Sequence, residues 1–418
     1  MIKVETVDAW EILDSRGRPT VAAAVKLEDE AMVNVSIPSG ASTGRAEAKE
    51  IRDGGRRFRG LGCQQAVGNI RGPIAAALKH ESFADQEQLD TRLLELDGTP
   101  DKSRLGANAI LAVSLAFARA AAAHQHVELF EYFASLLSPA SPRLPGLTIN
   151  LFSGGKHAFG QVAIQDVLIV PQSGLSISER LDQMYDIYQQ AAEIIRKRYS
   201  TPALTADEGG LAPPFATSSE MLDTAVEAIE AAGYAPGYQV ALAVDVAASH
   251  FINPDGLYQL DDKTLSPSEL IETVSSWARR YPMVSVEDGL AEEDWDHWPA
   301  LRQHLGDRCL TLADDLTCTN PARIRRAIDR RAANALLLKV NQIGTLTEAK
   351  HSYELARSVG WQVSISARSG ETEDNWLADL AVGWAGDFIK VGSITQSERL
   401  AKYNRLLQIE HDHRLGLK

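Results

Sequence analysis

Six charged residues follow short apolar segments in the C-terminal part of the chain, and they comprise three carboxylates and three cations. In chain order they are Asp245, Glu287, Asp314, Lys339, Arg368 and Lys390. A single acid after a strand is more often a helix cap or a loop residue, but a series of six at successive strand ends is not explained by capping. Because the carboxyl ends of barrel strands meet on one face, where active sites are built, we expect these side chains to share one mouth.

This set of residues predicts chemistry at a metal ion. Three carboxylates with no cysteine or histidine beside them are hard oxygen ligands, and they suit Mg²⁺. Two lysines that face such an ion have their charged forms disfavoured by like charge, so we expect their pKa values to fall. Lys339 would then be neutral often enough to act as a general base.

The elements that position these residues alternate between strands and helices. Short apolar runs predict strands at 240–244, 283–286, 310–312, 335–338, 363–365 and 388–389. Helix starts are marked by capping boxes at 176–179 and 345–348 and by Ser-Pro and Asn-Pro pairs at 266–267 and 320–321. A further helix near 220–232 stops at Gly233. This alternation indicates a parallel sheet, and the number of units favours a closed barrel.

The N-terminal part of the chain has a different pattern. Strand-like alternation at 20–25 is followed by a Gly/Ser loop at 38–44 and an alanine-rich helical run at 107–123. Strands followed by helices are typical of an α+β domain. A Pro- and Ser-rich stretch at 136–142 is a candidate linker. We therefore predict an N-terminal α+β domain over 1–128 and an α/β barrel of the TIM-barrel type over 140–418.

Composition narrows the functional classes. The 418 residues have a formal net charge of −14 and a pI of about 5.2, without a run of Lys and Arg, which argues against a nucleic-acid partner. Three cysteines without metal-ligand spacing suit a reducing compartment. The N-terminus has no apolar signal core, and the most apolar stretch, 107–117, is too short to span a bilayer. We expect a cytoplasmic protein without a membrane partner.

The chain resembles the enolase family along nearly its whole length, from Glu11 to about Glu410. The matching strings, in the family's order, are DSRGRPT (14–20), PSGASTG (38–44), GANAILAVS (106–114), DEGG (207–210), VSVEDGL (284–290), KVNQIGTLTE (339–348) and RSGETED (368–374). A lysine base that works with Mg²⁺ is the established pattern of enolase-superfamily sites. The resemblance implies an N-terminal α+β domain and a barrel of the enolase type. It also implies a lyase that interconverts 2-phosphoglycerate and phosphoenolpyruvate.

The resemblance implies a role for each matching residue. Lys339 would be the base, Glu208 the acid that helps hydroxide leave, and Lys390 a stabiliser of the doubly charged enolate. A first Mg²⁺ would be held by Asp245, Glu287 and Asp314, and a second would be covered by Ser42 on the Gly/Ser loop. The substrate, a small phosphorylated carboxylic acid, would be bound by His157, Gln165, Asp166, Arg368, Ser369 and Lys390.

Three positions depart from the family's pattern. Asp166 stands where the family has glutamate, which shortens the reach by roughly 1.5 Å. Ala367 replaces a histidine on the side of the leaving hydroxyl, and Ser153 replaces an asparagine. Small errors in the positioning of catalytic groups can be costly in rate, so these departures bear on the activity. Three interpretations stay open. They are a divergent enolase, an enolase-derived enzyme of phosphonate metabolism such as carboxyphosphonoenolpyruvate synthase, and a catalytically weak paralogue that binds a partner.

The resemblance also implies the setting in which the protein works. A glycolytic role in the cytoplasm and assembly as a homodimer, or as a higher homo-oligomer, are expected on that basis. The residues themselves do not distinguish a dimer from a larger assembly.

Overall fold

The N-terminal part of the protein is built on a four-stranded antiparallel sheet. In the computed structural model, which describes residues 1–41, 43–139, 141–158, 160–413 and 415–416, the strand order is β3-β2-β1-β4. The strands are β1 (Ile2–Leu13), β2 (Pro19–Leu27), β3 (Val33–Ser36) and β4 (Ser82–Phe83). Strand β2 is buried almost throughout, because it lies between β1 and β3 and is covered by a helix.

In the described residues of this part, five α-helices accompany the sheet, with a 3₁₀ turn at Arg57–Gly60 and a π-helical segment at Ile70–Ile74. They are α1 (Gln64–Asn69), α2 (Ala75–Leu78), α3 (Gln86–Asp97), α4 (Ala107–His124) and α5 (Leu129–Ser135). Helix α4 packs on β2 and β3, and its apolar sequence extends beyond the predicted 107–117. Among the described residues it is the one helix long and apolar enough, by length and composition, to cross a membrane. Because 83% of it is buried inside the protein, its apolarity is accounted for by its place in the core.

The second part of the chain forms a closed eight-stranded barrel, as predicted. Around the barrel the order is β10-β11-β12-β13-β14-β5-β6-β7. These strands are β5 (Gly146–Ser153), β6 (Asp166–Pro171), β7 (Val240–Asp245), β10 (Met283–Glu287), β11 (Leu310–Ala313), β12 (Ala335–Leu338), β13 (Gln362–Ser366) and β14 (Phe388–Gly392). A small hairpin, β8 (Tyr258–Leu260) and β9 (Lys263–Leu265), lies outside it.

One strand departs from the predicted parallel sheet. Strand β6 pairs antiparallel with both β5 and β7, whereas the other neighbours pair parallel. The reason is the connection from β5 to β6, whose described residues contain a short 3₁₀ turn at Gly155–Ala158 and no crossover helix. A parallel pair needs a longer crossover, usually helical, to return the chain to the same end of the sheet.

Helices cover the outside of the barrel. They are α6 (Ile177–Tyr199), α7 (Ser218–Ala231), α8 (Pro267–Arg280), α9 (Trp298–Leu305), α10 (Pro321–Arg330), α11 (Val340–Ile343), α12 (Leu346–Ser358), α13 (Trp376–Gly383) and α14 (Ser397–His413). The caps predicted at Ser176, Ser266, Asn320 and Thr345 are all present. Each accepts a hydrogen bond from a backbone N–H in the first turn, which satisfies one of the free donors at a helix start.

The two parts of the chain contact each other through helices and through the Gly/Ser loop. Helix α5 packs against α13, and the indole N–H of Trp384 donates to the carbonyl of Phe133 at 3.1 Å. Ser39 exchanges two backbone hydrogen bonds with Gly370, of 2.8 and 3.0 Å. The loop therefore lies at the mouth of the barrel. The division into 1–128 and 140–418 stays a prediction.

Candidate active site

At the ends of three barrel strands, a lysine contacts two carboxylates. Asp245 and Glu287 end β7 and β10 and are register partners, and Lys390 lies on β14 across the barrel mouth. The Lys390 ammonium donates to Asp245 Oδ2 at 3.0 Å and to both Glu287 oxygens at 2.8 Å. All three side chains are buried. The lysine thus holds the pair together at the floor of the mouth.

Burial and neighbouring charges shift the pKa values of Asp245, Glu287 and Lys390 in different directions. Burial raises the pKa of Glu287, and the neighbouring Asp245 carboxylate adds to the effect. Burial also acts to raise the pKa of Asp245, but Lys390 outweighs it and the pKa falls to about 2. Burial opposes the charge on Lys390, yet the carboxylates raise its pKa well above the ordinary value. The floor therefore holds more carboxylates than its lysine can neutralise.

Lys339 follows β12 and forms an ion pair with Asp314, which lies beyond β11. Asp314 also accepts a hydrogen bond of 2.8 Å from the side-chain amide of Gln342. Burial acts to lower the pKa of Lys339, but Asp314 and other carboxylates raise it to about 12. The expected fall in the pKa depends on a cation at these carboxylates, so it stays a prediction.

Two further acids of the site were not singled out in the sequence. Asp288 and Asp315 directly follow Glu287 and Asp314, and they lie close to Asp314. The Asp288 carboxylate accepts from the backbone N–H groups of Asp314 at 3.0 Å and of Asp315 at 2.8 Å. Asp288 therefore holds the loop that presents Asp314. The adjacent acid pairs Glu287-Asp288 and Asp314-Asp315 were the available signal.

Next to Asp245, whose register partner is Asp166, a histidine lies between two buried acids. His157 Nδ1 is 3.2 Å from Asp166 Oδ2, and its Nε2 is 3.7 Å from Glu208 Oε1. Burial disfavours the imidazolium, but the carboxylates outweigh it and raise the pKa of His157 to about 9. Burial raises the pKa of Asp166 against the pull of His157. For Glu208 the cations prevail over burial, and its pKa is lowered.

The departures from the family's pattern lie around this cluster. Ser153 donates to Asp166 at 2.7 Å and is seated against Gly210, where a Cβ would lie 2.5 Å from its hydroxyl. Asn150, which the sequence did not single out, donates to Glu208 at 3.0 Å. Ser153 therefore supports the shorter Asp166. Ala367 lines the pocket, and its backbone N–H donates to the carbonyl of Lys390 at 2.8 Å.

The residues expected to bind a phosphate meet the N-terminal part of the chain. The Arg368 guanidinium pairs with Glu47, with two contacts of 3.1 Å, and donates to Asn341 at 2.8 Å. The hydroxyl of Ser369 accepts from the backbone N–H of Ala41 at 2.8 Å. Ser42, the next residue of the loop, lies outside the described residues. Glu47 and Asn341 were missed, because nothing in their local sequence marks them as partners of Arg368.

These side chains surround one pocket. It is lined by nine of the predicted site residues, namely His157, Gln165, Glu208, Asp245, Asp314, Lys339, Arg368, Ser369 and Lys390. Asp166 and Glu287 are buried directly behind it, hydrogen bonded to Ser153 and Lys390 respectively. Gln165 donates to Asp245 Oδ2 at 3.0 Å, so it positions a carboxylate as well as lining the pocket. Apart from Ser42, the structure thus brings the predicted residues together.

The donor set fits a hard divalent cation. Asp245, Glu287 and Asp314 offer only carboxylate oxygens, which are the ligands that Mg²⁺ prefers. The raised pKa of Glu287 reflects burial and repulsion between acids that a cation would relieve. The second acidic group, Asp288, Asp314 and Asp315, shares Asp314 with this set. These residues could hold a metal ion.

Comparison with known proteins identifies the family of this chain. The family described as "Enolase, N-terminal domain" matches residues 4–133, and "Enolase, C-terminal TIM barrel domain" matches residues 142–416. A protein named Enolase from Methanopyrus kandleri is 47% identical over 414 residues, which cover 99% of this chain and 96% of that protein. The two matched domains account for nearly the whole sequence. The chain belongs to the enolase family and is an enolase-type lyase.

Proposed function

We propose that this enzyme interconverts 2-phosphoglycerate and phosphoenolpyruvate plus water. The observation that carries the proposal is the convergence of Lys339 and Lys390 on the carboxylates at one barrel mouth. Removal of a proton beside a carboxylate creates a dianion, and stabilising that charge is the main task of the site. The family membership and the relative named Enolase support the same reaction.

The proposed metal is Mg²⁺, with two ions in each active site. Asp245, Glu287 and Asp314 would hold the first, and the Gly/Ser loop with Ser42 would cover the second. When bound, the ions would supply positive charge that stabilises the substrate carboxylate as it becomes an enolate. The excess of buried carboxylates over lysines at the floor supports this assignment.

Lys339 is the proposed base for the proton beside the carboxylate. In the protein alone, Asp314 raises the pKa of Lys339 to about 12, over the opposing effect of burial. A general base must be available in its neutral form, so this raised pKa works against the role. Engagement of the Asp314 carboxylate by a cation would weaken its hold on the Lys339 proton. The base role therefore depends on the proposed metal site.

Departure of the hydroxyl is assigned to the cluster around His157. Glu208 is the proposed acid, although its pKa is lowered by His157 and other cations over the opposing effect of burial. His157 Nε2 lies 3.7 Å from Glu208 Oε1, and the pKa of His157 is raised to about 9. The imidazolium therefore favours the ionised form of Glu208 in the protein alone, and the acid role depends on the bound substrate. Asp166 and Ser153 orient His157 from the other side.

Substrate binding is assigned to Arg368, Ser369, Gln165, His157, Asp166 and Lys390. A phosphate that approaches Arg368 must share the guanidinium with Glu47. Bidentate pairs of arginine with phosphate are strong enough to compete for such a partner. The substrate would thus be anchored at the junction of the barrel and the N-terminal part.

A second candidate function rests on Ala367 and Asp166. In an enolase-derived enzyme of phosphonate metabolism, such as carboxyphosphonoenolpyruvate synthase, the space left at Ala367 would admit a bulkier or differently charged group. The hydrogen bond from Ser153 to Asp166 favours the ordinary reaction instead, because it keeps the shorter acid beside His157. A weak binding paralogue is the least supported alternative, since both lysines and all three carboxylates are retained.

An absorbance assay for the enol product tests the proposal. Wild-type protein should convert 2-phosphoglycerate in the presence of Mg²⁺ and lose activity with a chelator. Glu287→Gln should weaken Mg²⁺ activation strongly, whereas Glu193→Gln, on the exposed face of α6, should not. An unchanged Mg²⁺ dependence in Glu287→Gln would remove the metal assignment. A wild type inactive on 2-phosphoglycerate but active on a phosphonate analogue would favour the second candidate.

The cellular setting remains a proposal as well. A cytoplasmic, glycolytic homodimer or higher homo-oligomer is consistent with the family membership. Sedimentation of the purified protein would test the assembly.

A further inference from the structure

The barrel holds a second cavity beneath the catalytic charges. Its volume is about 190 Å³, and we refer to it as the barrel cavity. Barrel interiors are normally filled by layers of bulky branched side chains. Here five small side chains stand among the larger ones that line the interior, namely Thr148, Ala243, Ser285, Ala335 and Ser364. Small side chains at these positions leave more space than bulky branched ones would.

Two hydroxyls at the barrel cavity have no hydrogen-bond partner among the described residues. They belong to Ser285 and Ser364, which are 7% and 4% exposed. Thr148, by contrast, donates to the carbonyl of Ile389 at 3.1 Å. A buried hydroxyl left unpaired costs about 1–3 kcal/mol. The two serines therefore point to a ligand that carries a hydrogen-bonding group.

The remainder of the barrel cavity is mainly apolar. Leu168, Val170 and Ala243 form one apolar cluster, on β6 and β7. Leu312 and Ala335 belong to another, on β11 and β12. An engineered apolar cavity of about 150 Å³ in another protein binds benzene. The barrel cavity is thus large enough for one aromatic ring with a small substituent.

We propose that the barrel cavity binds a small aromatic molecule that carries one hydroxyl or amino group. The ring would contact the two apolar clusters, and the polar group would pair with Ser285 and Ser364. The exposed Asp307 and the neighbouring Arg308 line the lower end of the cavity, which gives the ligand a path from solvent.

The upper end of the barrel cavity reaches the floor of the active site. Glu287 and Lys390 line it, and Lys390 also lines the catalytic pocket. A bound molecule would contact these two side chains from below, without entering the space for substrate. Binding would therefore lower kcat while leaving KM unchanged.

Ligand-observed ¹⁹F NMR with 4-fluorophenol and fluorobenzene tests the proposal without relying on the catalytic function. Both probes should bind the wild type in the millimolar range or tighter. Ser285→Ala combined with Ser364→Ala should weaken 4-fluorophenol about tenfold, as expected for one lost hydrogen bond, and leave fluorobenzene unchanged. Ser275→Ala removes an unpaired buried hydroxyl on α8, outside the cavity, and should alter neither.

Filling the barrel cavity provides the complementary test. Ala335→Leu should abolish binding of both probes. Absence of 4-fluorophenol binding to the wild type, or equal binding to Ala335→Leu, would overturn the proposal. If Ala335→Leu does not fold, equal affinity of 4-fluorophenol for the wild type and the double serine variant would overturn it instead. In the activity assay, which rests on the proposed function, inhibition that raises KM and leaves kcat unchanged would also contradict it.

Discussion

At the scale of single residues, the site contains two groups of charged side chains. Lys339 and Lys390 contact Asp314, Asp245 and Glu287, and His157 lies between Asp166 and Glu208. In the proposed reaction, removal of the proton and departure of the hydroxyl occur at different carbons, and we assign one step to each group. Substitutions in the two groups should therefore have different consequences.

Glu208→Gln tests the side of the leaving hydroxyl. Product formation should fall by about 10²-fold or more, as when a general acid is removed, because glutamine cannot donate the proton. Exchange of the proton beside the carboxylate with solvent deuterium, followed by NMR, should persist, since Lys339 is intact. Glu193→Gln on α6 serves as the matched control. Equal loss of exchange and product formation would place Glu208 in the first step instead.

Restoring the family's side chains tests the departures. If the protein is a divergent enolase, Ala367→His with Asp166→Glu should raise the rate of dehydration, because the resemblance places both residues beside the expected position of the leaving hydroxyl. If the wild type is as fast as an ordinary enolase and the restored variant is slower, then Ala367 and Asp166 do not impair dehydration.

Residue types after strands predicted much of the site, and pairing between distant segments explains the remainder. Charged residues at strand ends are visible in the sequence because the barrel places them on one face. Glu47 as a partner of Arg368 was not predictable, since 321 residues separate them. The same holds for Asn150 beside Glu208 and for the hydroxyl of Ser153 on Asp166.

At the scale of helices and strands, one buried acid joins the two parts of the molecule. Asp90 on α3 accepts from the backbone N–H and the hydroxyl of Thr347, at 2.9 and 2.7 Å, at the start of α12. Gln86 donates to it at 3.0 Å. Burial raises the pKa of Asp90 from 3.8 to about 6, in spite of these hydrogen bonds.

This raised pKa predicts a pH dependence of stability. Between pH 3.8 and about 6 the folded protein binds the Asp90 proton more tightly than the unfolded chain, so stability is lost as the pH rises through that window. The wild type should lose about 2–3 kcal/mol of its free energy of unfolding, relative to Asp90→Asn, when the pH is raised from 4 to 8. Asp85→Asn, a substitution of the same chemistry that keeps the cap of the same helix, is the matched comparison variant. The free energy of unfolding is measured by chemical denaturation at several pH values. A difference between Asp90→Asn and wild type that does not change with pH would refute the prediction.

Helix boundaries and most barrel strands were predictable because their signals are local. The caps at Ser176, Ser266 and Asn320 satisfy free N–H groups within one turn, so the sequence carries them. The orientation of β6 was not predictable, because a fully buried strand is apolar whichever way it runs. Its direction follows from the connection to β5, in which the described residues form no crossover helix. The glycines and polar residues at 154–165 are only a weak sequence signal for such a connection.

At the scale of the whole molecule, the active site is shared between the barrel and the N-terminal part. The barrel supplies the lysines and the carboxylates, and the loop near Ala41 together with Glu47 contacts Ser369 and Arg368. Closure over a substrate would thus involve the junction of the two parts. The same junction carries the helix contacts at α5 and α13.

Mg²⁺ should stabilise the folded protein as a whole, because the buried acids converge only in the native state. At a concentration one hundred times Kd, the stabilisation should be about 2.7 kcal/mol. Thermal unfolding should therefore shift upward with added Mg²⁺ in wild type and Glu193→Gln, and far less in Asp314→Asn. Identical shifts in Asp314→Asn and the control would show that the ion binds elsewhere.

Exchange of the substrate proton in Lys339→Ala tests the central claim most directly. The proton beside the carboxylate of 2-phosphoglycerate is followed by NMR in D₂O with Mg²⁺ present, for wild type and Lys339→Ala. Lys339 is the proposed base and is held at the site by Asp314. Wild-type protein should exchange this proton, and Lys339→Ala should abolish the exchange while still binding Mg²⁺. Exchange at the wild-type rate in Lys339→Ala would contradict the mechanism and assign the base to another residue.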